Sequence, residues 1–99
     1  MILEQLMVTA AHRYCLGRCS YIVGACLGWL YATWDQFDRN TKRVMVRDTI
    51  EALMDDRAGG YTDVKDWTKF ASWSFVRLVP EDQEWVREVL THKNKAWPI

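Results

Sequence analysis

Residues 20–32 read Ser20-Tyr21-Ile22-Val23-Gly24-Ala25-Cys26-Leu27-Gly28-Trp29-Leu30-Tyr31-Ala32, a run without a single charge. Ser20 has the side chain of a helix N-cap. The residues behind it are apolar nearly all round, so a helix over Tyr21–Ala32 is expected at the centre of the fold. Gly24 and Gly28, four apart, expose backbone that a neighbouring helix can approach, which reads as core packing. The uncharged run from Cys19 to Trp34 falls short of the ~20 apolar residues that span a bilayer. Ser20, Gly24 and Gly28 dilute it further, so a buried helix is expected and a membrane span is not.

Helical periodicity continues on both sides. Upstream, Leu3, Leu6, Met7, Ala10 and Tyr14 follow helical spacing and predict one buried face. Gly17 suits a C-terminal cap there. Downstream, Thr33–Asp38 reads as a loop or single turn. Asp38 or Asn40 can cap a third helix running to about Arg57, with Val46, Ile50, Leu53 and Met54 as its buried stripe and Gly59-Gly60 as its stop. Asp63 reads as the cap of a fourth helix whose apolar face is Val64, Trp67, Phe70, Ala71, Ser74, Phe75 and Leu78. Pro80 opens a fifth, as proline suits the first helical position. Glu81, Asp82 and Glu84 sit in its first turn, where the helix dipole favours acids, and Trp85, Val86, Val89 and Leu90 form its apolar side. Alternation at Val76-Arg77-Leu78-Val79 is too short to predict a sheet. The expectation is all-α: a compact bundle of four or five helices in a single helical domain, residues 1–99.

The 99 residues include 49% hydrophobic ones and six tryptophans, enough for one core without a staple. Net charge is zero, so neither a nucleic-acid phosphate backbone nor an anionic membrane surface is implied globally. The cysteines are odd in number (Cys15, Cys19, Cys26), and Glu4 stands where a secretory leader carries Lys or Arg. A reduced, cytoplasmic protein is the expectation. His12, Cys15, Cys19 and Cys26 are zinc-compatible donors, but their spacing lacks the Cys-x2-Cys pairs of common zinc knuckles. No cofactor is expected. No phosphate loop, serine elbow or His-Glu-x-x-His motif occurs. Asp55-Asp56 are helix neighbours about 100° apart and do not converge. The chain does not read as an enzyme.

Two features point to binding. The third helix carries Arg39, Lys42, Arg43 and Arg47 in its first half and Asp48, Glu51, Asp55 and Asp56 in its second. The helix dipole prefers the reverse by roughly 0.3–1 kcal/mol per terminal charge. The basic end is therefore a candidate partner surface, with Arg13 and Arg18 as additions if the first helix packs nearby. The competing reading is a solvated face with an Arg47–Glu51 pair. Trp73 lies away from the fourth helix's buried face, beside Lys69 and Arg77, as an interface hot spot would. Alternatively the C-terminal tail, with Trp97 and Ile99, covers it. Trp29 and Trp34 read as core or loop-covering.

Residues 13–24, Arg-Tyr-Cys-Leu-Gly-Arg-Cys-Ser-Tyr-Ile-Val-Gly, resemble the opening of a group of small phage and mobile-element proteins with the pattern Arg-Tyr-Ala-Leu-Gly-Arg-x-Ser/Thr-Tyr-Ile. Cys15 replaces the usual alanine. Trp34-Asp35 and Arg47-Asp48-Thr49-Ile50 are also similar to that group. The resemblance implies a phage-borne accessory protein that acts by binding a bacterial host complex, an anti-CRISPR inhibitor of an effector ribonucleoprotein or nuclease being one such function. The alternative is a small helix–turn–helix-like nucleic-acid-binding regulator, with Arg39–Arg47 on its recognition helix. The expected contact residues are Arg18, Arg39, Lys42, Arg43, Arg47, Lys69, Trp73 and Arg77.

Overall fold

A computed structural model describes residues 2–16, 20–57 and 61–99, with backbone only for residues 2–7, 20–22 and 61–63. Five helices appear: α1 (Ile2–Cys15), α2 (Ser20–Thr33), α3 (Arg39–Met54), α4 (Tyr61–Phe75) and α5 (Pro80–Leu90), with a 3-10 turn at Trp34–Gln36. No strand occurs among the described residues. One apolar core draws on all five helices. The radius of gyration, 12.6 Å, matches the ~13 Å of a chain this long packed as one body. Among the described residues, no helix is long and apolar enough to cross a membrane.

Local chemistry sets the helix ends. Asp38 caps α3, its Oδ1 accepting from the Thr41 amide at 2.8 Å. At the other end α3 stops at Met54. Asp56 takes the left-handed conformation, φ 56°. The Arg57 amide then donates to the Ala52 carbonyl at 2.7 Å and the Asp56 amide to Leu53 at 3.4 Å, the double bond of a Schellman closure. Gly59 and Gly60 lie outside the described residues, as do Gly17, Arg18 and Cys19. Helix α4 begins at Tyr61, so Asp63 lies within its first turn instead of capping it. Pro80 opens α5 as expected, after an extended Val79.

The centre of the fold is α3, not α2. Helix α3 packs against α1, α4 and α5, whereas the main contacts of α2 are with α1, α4 and the 3-10 turn after it. Val23, Cys26, Leu27 and Leu30 face inward, but Gly24, Ala25, Gly28, Trp29, Tyr31 and Ala32 are exposed. A methyl group added at Gly24 or Gly28 would meet nothing within 4 Å. The glycines therefore admit no neighbouring helix in this fold. Hydropathy misplaces α3 because its interior polar groups are satisfied internally. Thr49 Oγ1 donates to the Met45 carbonyl and accepts from His12, and Asp48 is held by Arg13 and Arg47. Both residues are buried.

The same effect rotates α1. Among its described side chains the buried ones are His12 and Cys15, with Val8 and Leu16 packed on the core; the side chains of Leu3, Leu6 and Met7 lie outside those described. Ala10 and Tyr14, assigned inward by periodicity, face solvent, Tyr14 at 58%. His12 is drawn inward by its 2.7 Å hydrogen bond to Thr49 and by ring contacts with Trp67 and Phe70. In α4 the expected face holds except at Val64, which is exposed. Buried Ser74 satisfies its hydroxyl on the Phe70 carbonyl at 2.7 Å.

Candidate functional site

The reversed charge order of α3 has an intramolecular cause. Arg39 at its start binds the start of α5: Nε reaches Asp82 Oδ2 at 2.8 Å and Nη2 reaches Glu81 Oε2 at 2.9 Å. Near its other end, Asp55 Oδ2 accepts from Lys93, just past α5, at 2.7 Å, and Glu51 lies 3.4 Å from the same ammonium. Helices α3 and α5 thus run side by side in the same sense. Helix α5 has acids first and a base last, as its dipole prefers. A parallel partner must carry the opposite order to match it, and α3 does. The Asp82 carboxylate holds the Arg39 guanidinium above its ordinary pKa. The Lys93 hydrogen bond holds Asp55 below the usual carboxylate range and raises Lys93 in return.

The other basic residues of α3 divide between two places. Arg43 stacks on Trp85 of α5, its guanidinium carbon 4.5 Å from the ring centroid, and donates to Asn40. Arg47 lies 5.6 Å from the same ring and binds Asp48 through Nε and Nη2. Lys42 belongs elsewhere: its ammonium sits 5.8 Å from the Trp34 ring. Arg39, Arg43 and Arg47 therefore form one intramolecularly engaged strip along α5, and Lys42 joins a second cluster.

That second cluster is aromatic. Trp73 packs edge-on against Tyr31 at 4.9 Å and Trp34 at 5.9 Å, and lies nearly parallel to Phe70 at 6.4 Å. Phe37 extends the array from Trp34, and Trp29 extends it from Phe37. Trp34 and Phe70 are buried, Trp73 and Phe37 half-buried, and Tyr31 and Trp29 exposed at 38% and 41%. Trp29 is not core; its ring rests on Phe37 of the loop before α3, the loop-covering alternative. Trp34 is core as expected. The tail leaves Trp73 alone, because Trp97 packs on Phe75 at 5.7 Å.

Cations border this face. Arg77 lies 3.9 Å over the Trp73 ring and donates to the Trp73 carbonyl. Lys69 is exposed one turn earlier. Among the described residues, none of Lys42, Lys69 or Arg77 forms an ion pair. Burial, then the nearby Asp66 carboxylate, pushes the Tyr31 phenol up. The sequence singles out Trp73, Lys69, Arg77 and Lys42 of this cluster but not Tyr31 or Phe37, which the structure places beside them. The overlooked signal was the small, uncharged outer side of α2, which places Tyr31 at the edge of an open face.

Of the zinc-compatible donors, Cys15 and Cys26 meet while His12 is engaged elsewhere. His12 Nε2 is taken by Thr49, and Cys19 lies outside the described residues. Cys15 and Cys26 are buried free thiols, and burial, followed by a hydrogen bond with Cys15, pushes the Cys26 thiol up. Among the described residues no three His, Cys, Asp or Glu side chains gather closely enough to hold a metal ion. No protein-family model, curated protein or solved structure matches the chain.

Proposed function

We propose that this chain is a non-catalytic binding protein that docks a protein partner through Tyr31, Phe37 and Trp73 with Lys42, Lys69 and Arg77. The observation that carries the reading is the contrast between two cationic clusters. Along α5 the arginines are engaged within the molecule, Arg39 and Arg47 by carboxylates and Arg43 on the Trp85 ring. Around Trp73 the cations form no ion pair among the described residues, Arg77 lying over the half-buried Trp73 ring and Lys42 beside the buried Trp34 ring. Trp, Tyr and Arg dominate binding energy at interfaces, and rings already packed against one another lose little freedom on docking.

The phage-like segment at residues 13–24 makes a bacterial host complex the partner to test first, with a CRISPR effector ribonucleoprotein as its leading form. The protein would then act as an inhibitor in the host cytoplasm. Zero net charge speaks against whole-molecule mimicry of DNA. The recognition-helix alternative needs cations free to meet phosphates, and at the start of that helix Arg39 is tied to Asp82 and Glu81 while Arg43 lies over the Trp85 ring.

The test is target cleavage by a purified effector nuclease, with wild-type protein and two variants. Lys69→Glu with Arg77→Glu changes only exposed side chains and should abolish inhibition and co-elution. Arg39→Gln should retain both. Undiminished inhibition by the Lys69→Glu, Arg77→Glu variant would remove the proposed face. A low-salt gel shift with wild-type protein that weakens steeply as salt rises would favour the nucleic-acid alternative.

A further inference from the structure

Arg13 of α1, Arg47 of α3 and Arg57 just beyond α3 line one cavity of about 280 Å³, with Leu16, Asp48 and Glu51 completing its wall. From this arrangement we infer an oxyanion site for inorganic phosphate or a phosphate monoester, independent of the aromatic face. Asp48 is the organising residue. Its side chain is only 10% exposed, yet it holds two guanidiniums, Arg13 through Oδ2 at 2.9 Å and Arg47 through Oδ1 at 2.9 Å. One carboxylate cannot neutralise both. Glu51 is likewise divided, 3.9 Å from Arg57 and 3.4 Å from Lys93, and Asp55 serves the same two cations. Among the residues that line the cavity, three guanidiniums stand against two carboxylates, so positive charge is in excess at its wall.

The donors are uncommitted as well. Arg13 uses only its Nε, leaving both terminal nitrogens without a hydrogen-bond partner among the described residues. Arg47 uses Nε and Nη2 and retains Nη1. The cavity has room for about nine water volumes, which suits a tetrahedral oxyanion with part of its hydration shell. A carboxylate presents two oxygens in one plane. A phosphoryl group presents three, able to meet guanidiniums arriving from α1, from α3 and from the turn after it. Arginine is the side chain suited to that fork-like contact.

The experiment is a titration of the 99-residue chain with inorganic phosphate, followed by phosphorus NMR and by thermal unfolding, against sodium chloride at equal ionic strength. Wild type should bind saturably and melt higher in phosphate than in chloride. Arg13→Gln and Arg57→Gln, both at exposed positions, should each weaken binding about tenfold or more, the loss of one or two charge-assisted hydrogen bonds. Arg87→Gln, a cation outside this cavity, should leave it unchanged. Equal melting in phosphate and chloride, or Arg13→Gln and Arg57→Gln variants that bind phosphate like wild type, would overturn the site. A thymidine decamer bound more tightly than phosphate, with sensitivity to the same substitutions, would overturn the monoester assignment in favour of a phosphodiester backbone.

Discussion

His12 offers the sharpest test of the buried architecture. Its ring is fully enclosed between α1, α3 and α4 and touches Trp67 and Phe70. Thr49 Oγ1 commits its own proton to the Met45 carbonyl at 2.8 Å, so His12 Nε2 carries the hydrogen that Thr49 accepts. Burial lowers the imidazole from 6.5 to about 4, overcoming the opposing pull of Asp48. Above pH 6.5 the imidazole is neutral in both folded and unfolded chains, and its contribution to stability is fully present. As pH falls below 6.5 the unfolded chain takes up a proton that the folded chain refuses. Stability then drains away until about pH 4, where the folded form accepts it too. Linkage puts the loss from this residue at about 2 kcal/mol by pH 5 and about 3 kcal/mol at the acid limit. Against a total of roughly 5–15 kcal/mol this is a large share. Urea unfolding at pH 7.5 and pH 5 measures it: the wild-type midpoint should fall by roughly 1–2 M for a typical dependence on denaturant. His12→Gln keeps a donor for Thr49 but does not titrate. The variant should be less stable at pH 7.5 and nearly flat between the two pH values. An equal fall in wild type and variant would refute the enclosed, neutral imidazole.

Three further outcomes are expected. Gly28→Ala should raise stability by about 0.5–1 kcal/mol, because the added methyl meets open space and alanine favours the helix; a loss in thermal denaturation would mean that another helix does pack there. Asp56→Gly should stabilise by about 0.5–1 kcal/mol, since glycine adopts the left-handed closure of α3 without strain and removes an acid from a helix C-terminus; a lower melting temperature would argue against that closure. Asp82→Ala should cost about 1–3 kcal/mol by removing a buried carboxylate that accepts from Arg39 twice, and near-neutral chemical denaturation would show the α3–α5 pairing to be incidental.

Much of the fold is legible in the chain itself. Five helices, the Asp38 cap, the Pro80 start and the inward stripe Trp67, Phe70, Ala71 and Ser74 all follow from interactions within about four residues of one another. Lys69, Trp73 and Arg77 were also visible as a candidate surface for the same reason: their helix was right, and so was their side of it. What local rules could not supply was the identity of the neighbours. Hydropathy placed α2 at the centre, yet α3 occupies it, because Arg13 satisfies Asp48 and His12 satisfies Thr49 across 35 and 37 residues of chain. The inverted charges of α3 likewise make sense only beside α5, whose acids lie more than 40 residues away. Tyr31 and Phe37 join Trp73 only once α2 and α4 are packed together. Helix formation depends on short-range spacing, which a linear string records. Burial of a polar group or exposure of a ring depends on what the packed chain brings to it, and that is settled only in three dimensions.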